Sequence, residues 1–154
     1  MLLKISGRKR EFTNLKSLRL GLFNHCSTFF LGASIMSRDA LIVGINRYQA
    51  LPALKAPARD AEAIANSLQV HGEFRVHRMP EVIQAGKPAI GSRTAVTSQA
   101  LEEGLIRLFK PKGKNIPQTA VFYFSGHGFQ RHAGIREGYL ATSDTDPSKG
   151  SFGL

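Results

Sequence analysis

The chain has 154 residues, 42 % of them hydrophobic and 21 % charged, which suits one folded domain with a modest core or a part of a larger one. Its single cysteine, Cys26, excludes a disulfide framework and a cysteine-rich zinc site, and fits a reducing, cytoplasmic setting. The formal charge of +10 attracts anions at long range. No helix-turn-helix, zinc finger or stacked aromatic surface is there to read a base, however, so no specific nucleic-acid partner is expected.

Half of the excess charge sits in residues 1–35, where Lys4, Arg8, Lys9, Arg10, Lys16 and Arg19 face only Glu11. Residues 18–33 loosely resemble a secretory leader, but Arg19, Asn24 and His25 interrupt the apolar run. Met36 directly precedes the first strand-like run. Residues 1–35 therefore read as a basic N-terminal extension, disordered or not native, and residues 36–154 as the domain. No run of about 18 apolar residues occurs, so no membrane span is expected.

Residues 40–45, Ala-Leu-Ile-Val-Gly-Ile, form a continuous apolar run, the mark of a strand covered on both faces. A long proline-punctuated loop follows, to Pro57. The spacing of Ala61, Ile64, Ala65 and Leu68 predicts a helix over residues 59–70, with Gly72 just beyond its end. Residues 74–79 alternate for most of their length, as a more marginal strand does. Residues 80–93 read as a Gly- and Pro-rich loop. Leu101, Leu105, Leu108 and Phe109 form a stripe at helical spacing and predict a helix over residues 95–109, capped by Thr94.

Residues 110–117 read as a basic, solvated connection, and residues 119–125 as another buried strand, bounded by glycine. Beyond it, residues 130–138 look like an exposed loop, residues 139–142 like a short strand, and residues 143–150 like a turn-rich acidic loop. Strands alternating with helices imply right-handed crossovers and a mostly parallel α/β sheet. So few strands leave one sheet edge, beside the strand at 119–125, without a partner.

That strand ends at Ser125-Gly126-His127-Gly128, which puts His127 between two glycines at the carboxyl edge of the sheet. Parallel α/β sheets gather their ligands and catalytic groups at this edge. A loop histidine closing a core strand is the plainer alternative.

Residues 40–48 (Ala-Leu-Ile-Val-Gly-Ile-Asn-Arg-Tyr), 51–61 and 124–128 (Phe-Ser-Gly-His-Gly) together resemble the caspase and metacaspase family of cysteine endopeptidases, in particular its prokaryotic orthocaspases. They stand in the family's order and spacing and extend the resemblance over about residues 38–154. The resemblance implies a three-layer caspase-like α/β fold with a mostly parallel sheet, here its p20-like front portion. It implies for His127 the histidine of a Cys-His dyad, in which a thiolate attacks the scissile carbonyl and the imidazole protonates the leaving amine. It implies for Gly128 a backbone N–H that binds the developing oxyanion. For Asp60 it implies a carboxylate in a substrate pocket that accepts Arg or Lys, a role compatible with the plainer one of an Asp near a helix start, favoured by the helix dipole.

The resemblance further implies protein or peptide substrates and names Ca2+ as a candidate cofactor, while no metal-ligand motif is written in the sequence. One departure stands out. The family's nucleophilic cysteine follows the histidine by roughly 50 residues, at the end of the next core strand. This chain ends 27 residues after His127, and Cys26 precedes the first strand. The expectation is a fragment truncated before the nucleophile-bearing strand, inactive and marginally stable alone, whose cysteine half comes from another chain or a longer gene. A catalytically dead caspase-like interaction module and a basic nucleic-acid-binding fragment are the alternatives.

Overall fold

Apolar residues at every position of a strand need cover on both faces, and the chain supplies it with one helix per face. In the computed structural model, which describes residues 2–6, 37–113, 116–133 and 135–154, β2 (Arg38–Gly44) lies at the centre of a four-stranded sheet. The order is β1-β6-β2-β3, where β1 is Leu2–Ser6, β3 is Arg75–Met79 and β6 is Thr119–Ser125. β2 runs parallel to both β3 and β6, as the strand–helix alternation requires.

Side chains alternate across the sheet. Ala40, Ile42 and Val121 pack on one face against Ala58, Ala61 and Ala65 of α1 (Pro57–His71). Leu41, Val43, Phe122 and Phe124 pack on the other against Leu101 and Leu108 of α2 (Ser98–Phe109). The result is the expected three-layer α/β arrangement.

Both helices differ from expectation at their starts. α1 begins at Pro57, whose missing N–H costs nothing in a first turn. The buried Asn46 side chain accepts the Ala58 N–H at 2.8 Å, in place of a local cap. α2 begins at Ser98 and its cap is Thr97, whose hydroxyl accepts from Ala100 N at 3.2 Å, so the expected start at residue 95 under Thr94 is corrected. Val96 explains the shift. It is buried, its N–H donates to Ser143 Oγ at 2.9 Å and its carbonyl accepts from Ser143 N at 2.7 Å, which holds that residue out of the helix.

Two segments expected to be loops are hairpins. β4 (Glu81–Gln84) and β5 (Lys87–Ile90) pair antiparallel around Ala85 and Gly86, both at positive φ (49° and 76°), a two-residue turn matched to strand twist. Glu62 of α1 holds this hairpin by accepting from Ile90 N at 2.8 Å, and also pairs with the buried Arg78 at 3.2 Å. Likewise β7 (Gly128–Ala133) and β8 (Ile135–Leu140) form a hairpin where residues 130–138 read as loop and residues 139–142 as a strand.

The acidic segment after β8 is also less exposed than expected, since Thr142, Ser143 and Thr145 are buried. Nor is the outer edge of β6 unpaired. Leu2–Ser6 lie antiparallel along it, from Leu2 opposite Tyr123 to Ser6 opposite Thr119. A piece of the supposed extension thus takes part in the sheet, while Cys26 and the rest of residues 7–36 lie outside the described residues.

Candidate functional site at the carboxyl edge of the sheet

β2 and β6 end side by side, Gly44 opposite Ser125, and Ile45 N donates to Ser125 O at 3.0 Å just beyond. Gly44 admits the start of α1 directly onto this edge. A Cβ there would stand 2.8 Å from the Pro57 carbonyl and from Ala61 Cβ. Asn46 completes the join through Ala58 N, and its own carbonyl accepts from Leu54 N at 2.9 Å, which closes the loop at 46–56 on itself. The first turn of α1, with Asp60, and the end of β6, with His127, are thereby set at one edge of the sheet.

The loop at 46–56 holds His127 from two sides. His127 N donates to the Tyr48 hydroxyl at 2.9 Å. The two rings meet edge to face, centroids 4.7 Å apart. On the other side His127 Nε2 lies 2.9 Å from the Pro52 carbonyl. A carbonyl can only accept, so this contact requires a proton on Nε2, and in the neutral ring it leaves the lone pair on Nδ1. Among the described residues no hydrogen bond reaches Nδ1. The His127 carbonyl in turn accepts from Ala141 N at 3.0 Å. An imidazole oriented in this way and half exposed can take a proton at Nδ1 and hand it on. Burial pushes the Tyr48 hydroxyl above the ordinary tyrosine range, the His127 N–H pulling back only in part, so Tyr48 stays protonated and neutral at physiological pH.

The other candidates are less engaged. Asp60 is exposed and its carboxylate forms a 3.7 Å ion pair with Arg59, while its N–H donates to the Ala56 carbonyl at 3.0 Å; among the described residues no hydrogen bond or ion pair joins its side chain to His127. Gly128 opens β7 opposite Leu140 and is exposed. A Cβ on it would meet only the Tyr139 carbonyl, at 3.5 Å, so packing alone does not demand glycine there. Sequence reasoning gave no role to Tyr48 or Pro52, although both fall in the segments that carried the resemblance.

It also missed the clasp beneath the site. Asp144 accepts from Ser98 N at 3.0 Å and from Thr142 Oγ1 at 2.6 Å, and Ser143 O accepts from Gln49 N at 2.8 Å. Burial would raise the Asp144 carboxyl, but the donors from Thr142 and Ser98 outweigh it and hold the group below the ordinary carboxylate range.

A cleft of about 310 Å³ lies elsewhere, on the α2 face beside β3, floored by Leu41, Met79 and Leu108. It contains none of His127, Gly128 or Asp60. Among the described residues no three His, Cys, Asp or Glu side chains converge. Asp144 and Asp146 are occupied by Ser98, Thr142, Ser148 and Lys149. No helix among the described residues is long and apolar enough to cross a membrane.

The family model of the caspase domain matches residues 37–152. The chain belongs to the caspase family. That match takes in α1, β6 and all of the carboxyl edge, so His127, Gly128 and Asp60 lie within it. Caspase-family membership places the chain among cysteine peptidases, hydrolases that act on proteins. No curated protein and no solved structure matches the chain.

Proposed function

We propose that this chain carries the histidine half of a cysteine endopeptidase site that cleaves after Arg or Lys, and that the nucleophilic thiol lies outside these 154 residues. The observation that carries the reading is the state of His127: fixed through Nε2 and the backbone, with Nδ1 left to exchange a proton. The thiol proton passes to Nδ1, and the thiolate adds to the scissile carbonyl carbon. The Gly128 N–H donates to the oxyanion, and His127 returns the proton to the leaving amine as the C–N bond breaks. Water then hydrolyses the acyl-enzyme by the same proton path. Asp60, in the first turn of α1, supplies the carboxylate for a guanidinium or ammonium at the cleaved residue.

The reading that competes is a caspase-like interaction module without catalysis. It is favoured by one fact: the only cysteine, Cys26, precedes β2 in sequence. A fusion to the cysteine-bearing half of a caspase-family relative separates the two. Hydrolysis of peptides with Arg or Lys at the cleaved position, and not Asp, is the expected result, with the unfused chain inert. In that fusion Asp60→Ala should reduce kcat/KM for Arg and Lys substrates by roughly tenfold or more, as loss of a charged partner does. An unchanged preference would return Asp60 to its role at the helix terminus. A folded fusion that cleaves nothing would favour the interaction module.

A further inference from the structure

We propose that Tyr48 is the positioning residue for His127, and that Gly126 is glycine in order to let it act. This rests on the reading of His127 as the acid–base group. Tyr48 sits two residues past Asn46, in the loop whose start Asn46 and Leu54 fix to α1 and to each other. Its hydroxyl accepts the His127 backbone N–H at 2.9 Å, and its ring packs edge-on against the imidazole. It therefore constrains both the peptide and the side chain of one residue. Pro52, four residues further along the same loop, constrains Nε2. The imidazole is held between two points of a single loop, so a tilt of that loop moves both together.

Gly126 is the complementary feature. Its φ does not require glycine, yet a Cβ there would come 2.5 Å from the Tyr48 hydroxyl oxygen and 2.9 Å from the Phe124 ring. Phe124 is buried in the core between β6 and α2 and has little freedom to withdraw. A methyl group at position 126 must therefore displace Tyr48 and break its bond to His127 N. The hydroxyl acts as a neutral acceptor at a half-buried position, and no charge is needed for this work. Tyr48 does not touch the reacting atoms. Its effect passes through His127.

The test uses the chain as it stands and reads His127 directly, by amide hydrogen exchange and by nitrogen NMR of the imidazole. It is independent of peptidase activity, so failure of the functional reading and failure of this proposal are distinguishable. In Tyr48→Phe, which keeps the ring and removes the acceptor, exchange at the His127 amide should rise roughly tenfold, the worth of one hydrogen bond. The Nε2–H form should lose its dominance over the other tautomer, while exchange at Val43 and Phe122 in the sheet stays as in the parent chain. Gly126→Ala should reproduce the same local change with Tyr48 intact. His127 signals identical to the parent in Tyr48→Phe would overturn the proposal. So would global unfolding of that variant, which would make the hydroxyl a general stability element, or a Gly126→Ala chain whose His127 is undisturbed.

Discussion

Asp144 shows how a single residue at some distance in sequence supports the site. Its carboxylate receives Ser98 N and Thr142 Oγ1, closing the open N-terminus of α2 from the segment that follows β8. Ser143 beside it receives Gln49 N, and Ala141 donates to the His127 carbonyl, so the clasp reaches both the 46–56 loop and the end of β6. Asp144→Ala should lower stability at pH 7 by about 1 kcal/mol, the usual worth of a helix cap. The Asp144 pKa is lower in the folded chain than in the unfolded one, so the carboxylate stabilises the fold above the unfolded value. Its contribution is lost as the pH falls through the folded value. Urea midpoints of parent and Asp144→Ala should thus differ at pH 7 and begin to converge only as the pH falls below about 4. A constant gap down to pH 2 would show that the carboxylate's charge is irrelevant. None of this was legible in residues 143–150, which by composition are only turn formers. The partners that bury them lie more than 40 residues away, as in the Ser98–Asp144 pair.

At the scale of elements, long apolar runs were readable and short polar strands were not. β2 and β6 announced themselves because burial on both faces leaves residues 40–43 and 120–122 without a polar position. α1 and α2 did so through their apolar stripes. The β4–β5 hairpin was hidden by Pro88 and Gly86, which signal a loop unless the proline lies on an edge and the glycine in a two-residue turn. Ala85 adds to the difficulty, because alanine is not the residue that a left-handed turn position asks for. Ala85→Asn should therefore stabilise the chain by about 0.5 kcal/mol, read as a higher urea midpoint. A loss of stability would mean that the turn is not of this type. The start of α2 was misplaced for a different reason. Thr94 and Thr97 are equivalent caps by sequence, and only the pairing of Val96 with Ser143 decides between them.

At the scale of the whole molecule, the three-layer fold and the place of His127 followed from the order of elements. The grip on His127 did not, because Tyr48 and Pro52 reach it across a fold that brings together residues 79 and 75 positions apart. The pairing of β1 with β6 was equally out of reach, since nothing in residues 1–35 marks Leu2–Ser6 as a partner of the strand that precedes His127. β1 covers the outer edge of β6, and an uncovered strand is a template for other chains. A chain starting at Ser37 should therefore self-associate where the full chain does not, as measured by sedimentation. Equal sedimentation of both would show that β1 does not protect that edge.

The central claim is that His127 moves the proton in cysteine-dependent peptide hydrolysis. Its most direct measurement is the rate at which the fusion carrying a relative's cysteine half cleaves Arg and Lys peptides, with and without His127→Ala. Loss of roughly 10³-fold or more in kcat, with the substituted protein still folded, is the predicted result. A His127→Ala fusion that cleaves within a few-fold of its parent would contradict the account.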